Sequence, residues 1–291
     1  CTSVMNRSLF GVFDEALKYR ILDQIYGAAH GIDGVLQDNF IDLRKQSDTL
    51  WNIIAQTPAA ALGSTRSKIK EGNITKILSV LAQHQIRFLF IIGGNDSADT
   101  GHTLNVAAEA NRYELTVINV PKTIDNDLIL TDHSPGYGSA ARFVILATMG
   151  AGQDAKSMGH ASPITIIEVM GRDTGWLAAS AALARNDDSD PPHIICVPEV
   201  PLNESCFLTL VDDAYKRFGF VVAIVAENTR GTNGVLGQQK DPYFVDDFGH
   251  PYFDAPGQYL AKLISKKLKV RARYEKPGTI QRTMVTCVSQ S

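Results

Sequence analysis

Lys122-Thr123-Ile124-Asp125-Asn126-Asp127 gathers an ammonium, a hydroxyl and two carboxylates into one short stretch. Asp125 and Asp127 stand at i and i+2, so in an extended segment both acids project to the same side. One carboxylate can accept a hydroxyl proton while the other orients that hydroxyl or holds a divalent cation, and Lys122 can neutralise charge on a phosphoryl group in transit. Gly93-Gly94-Asn95-Asp96-Ser97 is a turn whose missing side chains leave room for a ligand and tolerate unusual dihedrals. The amides that open the following helix then present their positive ends to a phosphate. Met170-Gly171-Arg172 pairs a close-approach glycine with a phosphate-gripping guanidinium, and Arg66 ends the similar turn Leu62-Gly63-Ser64-Thr65. The common theme is phosphate chemistry. Gly136-Tyr137-Gly138-Ser139-Ala140-Ala141 matches a GxGxxA dinucleotide fingerprint, but Thr131-Asp132-His133-Ser134-Pro135 stands where that fingerprint needs a strand. No GxxxxGK[ST] loop is present either.

These turns are placed by an alternation of helical periods and short β-branched runs, the pattern of parallel sheets with helices on both faces. The expected order is a helix over Ile74–Gln85 capped by Asn73, a strand over Ile86–Ile92, a helix over His102–Arg112 and a strand over Leu115–Val120. A helix over Ser139–Met149, a strand over Ile164–Val169, a helix over Gly175–Arg185 and a strand over Ile194–Val197 continue it. The pattern closes with a helix over Cys206–Phe218, a strand over Phe220–Ala226, a helix over Pro256–Lys269 and a terminal strand in TMVTCVSQS. GGNDS, PKTIDND, MGRDTG and AENTRG each follow a strand directly, which places them at the carboxyl edge of a sheet, where ligands bind in open α/β folds.

The chain has 291 residues, of which 44% are hydrophobic, enough for two medium α/β domains. A net charge of -3 provides no general field for nucleic acid or an anionic membrane, so an anionic ligand must be captured locally. The longest apolar stretches, Phe88–Ile92 and Phe220–Ala226, fall far short of the roughly 20 residues that span a bilayer. Four cysteines without a CxxC pair indicate neither a disulfide scaffold nor a zinc site, and fit a reducing, cytoplasmic setting. The opening CTSVMNRSLF shows no secretory leader, and both ends read as interruptions of a longer sequence.

Taken in order, LGSTR, GGNDS, PKTIDND, GYGSA, EVMGRDTG, AEN and GTIQR resemble the serial motifs of the phosphofructokinase family over essentially the whole chain. The resemblance implies two Rossmann-like three-layer α/β domains with mostly parallel sheets and an active site in the cleft between them. It places a phosphoryl-donor domain at 1–128, a fructose 6-phosphate domain at 129–281, and the start of a segment returning to the first domain at 282–291. The implied reaction phosphorylates the 1-hydroxyl of fructose 6-phosphate with Mg²⁺, in a homo-oligomer, dimer or tetramer. By motif position, Asp125 is implied as general base and Asp127 as its partner near the hydroxyl and metal. Thr123 meets the reacting end of the sugar, Met170, Gly171 and Arg172 line its phosphate site, and Glu227 bonds its hydroxyls. Arg282 and Arg273 grip the 6-phosphate, and Arg66 steadies the phosphoryl group in flight. Gly93, Gly94, Asp96, Ser97 and Lys122 hold the donor, while Asn95, Asp96 and Asp127 are the candidate metal ligands.

Two positions bear on the donor. ATP-using relatives commonly read GGDGS and PGTIDND, whereas this chain carries Asp96 and Lys122 at the variable glycines. A carboxylate at Asp96 repels the α-phosphate of ATP, and Lys122 adds a cation where the end of pyrophosphate would lie. Pyrophosphate, used reversibly, is the expected donor. Asn95, Pro163 and Thr279 also depart from the family's usual aspartate, arginine and histidine. An ATP-dependent enzyme and, prompted by Asn95, a noncatalytic sugar-phosphate-binding paralogue stay open as alternatives. An oxidoreductase using the GYGSAA turn is a third, and it predicts nicotinamide binding.

Overall fold

The alternating segments build two α/β units in the computed structural model, which describes residues 2–284 apart from 66, 68, 239–243, 246–250 and 253. The first unit draws on Cys1–Thr123, Leu128–Gly136 and Arg282–Ser291, the second on Ile124–Asp127 and Tyr137–Gln281.

In the first unit the elements run α1 (Met5–Leu17), β1 (Tyr26–Ala28), α2 (Ile32–Leu36), β2 (Phe40–Asp42) and α3 (Asp48–Gln56). They continue with α4 (Glu71–Gln83), β3 (Phe88–Gly93), α5 (Asn95–Ala110) and β4 (Thr116–Pro121). β3 and β4 pair in parallel from Phe88↔Thr116 to Gly93↔Pro121. One face of this pair, with Leu89, Ile91 and Val117, packs on Ile77, Leu78 and Leu81 of α4 and Leu104 and Ala108 of α5. On the opposite face Phe88 and Phe90 are 50% and 41% exposed. A smaller core forms where Phe13 of α1 stacks on Trp51 of α3 at 4.1 Å.

The second unit contains α6 (Tyr137–Met158), β5 (Ile164–Val169), α7 (Trp176–Ser180), β6 (Ile194–Cys196), α8 (Glu204–Phe218) and β7 (Val221–Ala226). After four two-residue strands, β8 (Arg230–Gly231), β9 (Gly234–Val235), β10 (Phe244–Val245) and β11 (Pro251–Tyr252), come α9 (Pro256–Leu268) and β12 (Ala272–Glu275). The main sheet is parallel, in the order β12-β5-β7-β6. Every residue of β5 and β7 is buried, which explains why apolar residues predominate in both: a central parallel strand has no solvent face. Alternation splits those side chains between two cores. Ile167, Val169, Val222, Ile224 and Ala226 meet α6 and α7, whereas Ile164, Ile166, Val221, Ala223 and Val225 meet α8 and α9. The second unit therefore has three layers.

Several boundaries differ from expectation, each for a local reason. α5 begins at Asn95, not His102, because the Gly94 carbonyl already accepts the N–H groups of Ser97 and Ala98 at 3.0 Å. α4 begins at Glu71, and Asn73 lies inside it with its N–H on the Lys70 carbonyl. α6 runs on from Met149 to Met158 through Gly152, whose hydrogen face is needed because a Cβ there would lie 2.4 Å from Pro191. β12 was not foreseen, and the expected terminal strand lies outside the described residues. Around residue 128 the chain passes between the units three times, after residues 123, 127 and 136. Ile124, 5% exposed, joins the second unit's core, while Thr123 donates its N–H to Pro135 and bridges Gly136 in the first. Among the described residues no helix is long and apolar enough to cross a membrane.

At the outer strand β6, a cavity of about 420 Å³ is lined by His193, Leu210, Asp213 and Arg217, among others. His193 Nδ1 accepts the N–H of Val222 at 3.0 Å, which puts the proton of the neutral ring on Nε2. Burial, and next the charge of Arg185, holds its pKa below the ordinary value. The neutral form is thus favoured in the folded chain, and protons bind the unfolded chain first as the pH drops. Stability is expected to be fully retained above the unfolded value of about 6.5 and to be lost as pH falls below it towards the folded pKa. In His193→Asn, whose Oδ1 can take over the Val222 bond, thermal midpoints between pH 7 and 5 should fall less steeply than in the wild type.

Candidate active site

The first unit's motifs leave its sheet side by side. β3 ends at Gly93 and β4 at Pro121, in register, and the Lys122 N–H donates to the Gly93 carbonyl at 2.9 Å. Gly93 has no unusual dihedral. A Cβ on it would lie 1.9 Å from Ser97 Oγ, so packing is what requires glycine. At Gly94 a Cβ would meet Lys122 O at 3.4 Å and Thr123 Cβ at 4.0 Å, ordinary contact distances, so packing does not require glycine there. Gly94 caps α5 without a side-chain bond, and the amides that open a helix carry the positive end of its dipole. Asn95 and Asp96 are exposed in that first turn, and Ser97 is half-buried.

Arg66 falls outside the described residues, but its neighbours are held: Asp33 accepts hydrogen bonds from the hydroxyls of Thr65 and, at 3.0 Å, Ser67.

In the second unit, β5 and β7 end in register at Val169 and Ala226, and the Glu227 N–H donates to the Val169 carbonyl at 2.9 Å. Met170-Gly171-Arg172 and Glu227 therefore emerge together. Arg172 Nε lies 3.9 Å from Glu227 Oε1, with the arginine side chain 76% exposed. So exposed a pair is weak, which leaves the guanidinium able to turn onto an anion. Gly171 has φ of +118°, and a Cβ there would approach Thr174 O to 2.6 Å, so only glycine makes this turn. Asp125 and Asp127 are half-buried around Asn126, which is 6% exposed with φ of +56°. The Thr174 hydroxyl donates to the Asp125 carbonyl at 2.8 Å.

Arg282 ends a short 3-10 turn, Gly278–Arg282. The residue before it, Gln281, is fully buried; its Oε1 accepts the Met170 N–H at 3.3 Å and its Nε2 donates to Gly278 O at 3.0 Å. Arg273 is not brought to this edge. It pairs with Thr165 near the amino end of β5, and its guanidinium bonds Asp154 of α6. Parallel pairing puts Arg273, second in β12, at the amino end of β5, away from the carboxyl edge.

Sequence reading also missed Glu168. It is 1% exposed in an otherwise apolar strand, and its oxygens face the Gly257 N–H at 2.8 Å and Lys276 Nζ at 2.8 Å. A buried carboxylate is tolerated only when so paired, and this pair ties the start of α9 and the end of β12 to β5. A carboxylate interrupting the apolar run ITIIEV was the available signal.

Among the described residues no group of three or more His, Cys, Asp or Glu is placed to hold a metal. Hard divalent cations in phosphate sites are commonly held by one or two carboxylates, with phosphate oxygens and water completing the shell. Asp96 and the amide oxygen of Asn95 in the first unit, and Asp127 in the second, are each donors of that chemical kind.

A family model described as Phosphofructokinase matches residues 1–289. The chain belongs to the phosphofructokinase family. It is 36% identical over 294 residues to the pyrophosphate--fructose 6-phosphate 1-phosphotransferase of Rhodospirillum rubrum, covering 99% of this chain and 72% of that protein. Two solved structures of pyrophosphate-dependent phosphofructokinases are similar. The one from Nitrosospira multiformis has a TM-score of 0.86 and 32% identity, covering 97% of this chain and 67% of that one. The one from Marinobacter aquaeolei has a TM-score of 0.83 and 33% identity, covering 97% of this chain and 66% of that one. The two-unit α/β architecture is thus the phosphofructokinase fold.

Proposed function

We propose that this phosphofructokinase transfers a phosphoryl group reversibly between pyrophosphate and the 1-hydroxyl of fructose 6-phosphate, yielding fructose 1,6-bisphosphate and phosphate. The observation that carries the reading is the pairing of Lys122 with the Gly93-Gly94 turn. An ammonium-bearing residue adjoins a glycine turn and the start of a helix that has no side-chain cap, with Asp96 in its first turn.

In this reading the first unit holds the donor through Gly93, Gly94, Ser97 and Lys122, and Asp96 disfavours a nucleotide's α-phosphate. The second unit holds the sugar. Arg172 turns from Glu227 onto the 6-phosphate beside Met170 and Gly171, Glu227 accepts sugar hydroxyls, and Arg282, from the first unit, adds a second guanidinium. Asp125 takes the proton of the 1-hydroxyl as that oxygen bonds to phosphorus and the bridging P–O bond of pyrophosphate breaks. Lys122 offsets charge on the departing phosphate, and Arg66 steadies the group in flight. In reverse, the protonated Asp125 returns its proton to the sugar oxygen. Mg²⁺, held by Asp127, Asp96 and Asn95 with substrate oxygens, would neutralise phosphate charge. A cytoplasmic setting and assembly as a dimer or tetramer belong to the same proposal.

The test is an aldolase-coupled assay of the protein with each donor in turn. Turnover with pyrophosphate and fructose 6-phosphate is expected, with ATP at least about 100-fold poorer, a difference of about 2.7 kcal/mol in transition-state stabilisation. Turnover with ATP and none with pyrophosphate would sink the reading, and inactivity with both would favour a binding paralogue.

A further inference from the structure

Thr174 closes the turn that presents Met170-Gly171-Arg172, and its side chain reaches a residue 49 positions earlier: Oγ1 donates to the main-chain carbonyl of Asp125 at 2.8 Å. The backbone of Thr174 is fixed on both sides. Its carbonyl lies so close to Gly171 that a Cβ there would approach to 2.6 Å. The next residue, Gly175, donates its N–H to Glu199 Oε1 at 2.7 Å, and a Cβ on it would meet Val197 at 2.5 Å. The hydroxyl therefore extends from a turn with little freedom to move.

Asp125, for its part, sits between two buried anchors, Ile124 at 5% and Asn126 at 6% exposure. The left-handed φ of +56° at Asn126 turns the chain directly after it. With both neighbours buried, the orientation of the peptide joining Asp125 to Asn126 helps set where the Asp125 carboxylate points. Thr174 bonds the carbonyl of that same peptide.

We propose that Thr174 is a positioning residue for phosphoryl transfer: its hydroxyl locks the Asp125 peptide to the Gly171 turn, so that the base and the sugar-phosphate residues keep one spacing. This role rests on the proposed function. It explains why a hydroxyl is needed there, since valine has the same shape and would fill the same space. Displacing a reacting group by about 1 Å can cost about 100-fold in rate, so loss of this bond should act on turnover more than on substrate affinity.

The test compares Thr174→Val, Thr174→Ala and Thr174→Ser with the wild type in the pyrophosphate assay, recording kcat, KM for fructose 6-phosphate and thermal midpoint. Val and Ala are expected to lower kcat by about 10- to 100-fold, with KM changing far less and the midpoints staying close to the wild type. Ser, which keeps the donor, is expected to restore most of kcat. Wild-type kcat in the Val and Ala variants would overturn the role. So would a loss confined to KM, or a Ser variant as impaired as Val. A wild type without pyrophosphate turnover would overturn the proposed function and this role with it, whereas wild-type turnover beside an unaffected Val variant overturns the role alone.

Discussion

Replacing Asp125 by asparagine is expected to lower pyrophosphate-dependent kcat by about 10²- to 10⁴-fold, the usual contribution of a general base, with KM for fructose 6-phosphate nearly unchanged. The substitution keeps the shape of the side chain and removes its basicity. The half-buried Asp125 is held through its main chain by Thr174 and flanked by the buried Ile124 and Asn126, none of which the amide disturbs. A thermal midpoint near that of the wild type should accompany the loss. The reverse reaction should fall by a similar factor, because the same group returns the proton. If Asp125→Asn kept wild-type kcat in both directions, the catalytic assignment would be abandoned.

The donor side makes the second large prediction. Lys122→Met keeps the aliphatic stem and the backbone bond to Gly93 but removes the ammonium. It is expected to cut pyrophosphate kcat/KM by about 10²- to 10³-fold, the scale of losing one fixed group that stabilises transition-state charge. Asp96 should act in the opposite sense on the nucleotide. Exposed in the first turn of α5, it can be replaced by glycine with little packing loss. The double variant Asp96→Gly, Lys122→Gly is then expected to gain measurable ATP turnover while losing pyrophosphate turnover. If Lys122→Met left pyrophosphate kcat/KM intact and the double variant still ignored ATP, donor choice would reside outside these two positions.

Much of this was legible in local sequence. β5 and β7 announce themselves because a strand buried on both faces is predominantly apolar, and a turn after a parallel strand is confined to the sheet edge. That is why Lys122, Arg172 and Glu227 could be placed at strand ends from residue order alone. Gly171 reads in sequence as a close-approach glycine for a ligand; in the fold its positive φ and the nearness of the Thr174 carbonyl are what exclude a side chain. Gly93 leaves room, as a glycine turn is expected to, but for the Ser97 hydroxyl.

What local sequence does not encode is which distant partner a buried polar atom finds. Gln281 meets Met170 across 111 residues, Glu168 meets Gly257 across 89, and Thr174 meets Asp125 across 49. Such pairings follow from packing, because a polar group that loses water must find a partner wherever the fold brings one. The same dependence on packing moved Arg273 away from the sheet edge to Asp154 and carried Ile124 into the second unit's core. Residue types and their order thus specified the phosphate chemistry and the family. The folded chain added the supports of the site, Thr174, Gln281 and Glu168, because each acts only through a neighbour that chain order keeps far away.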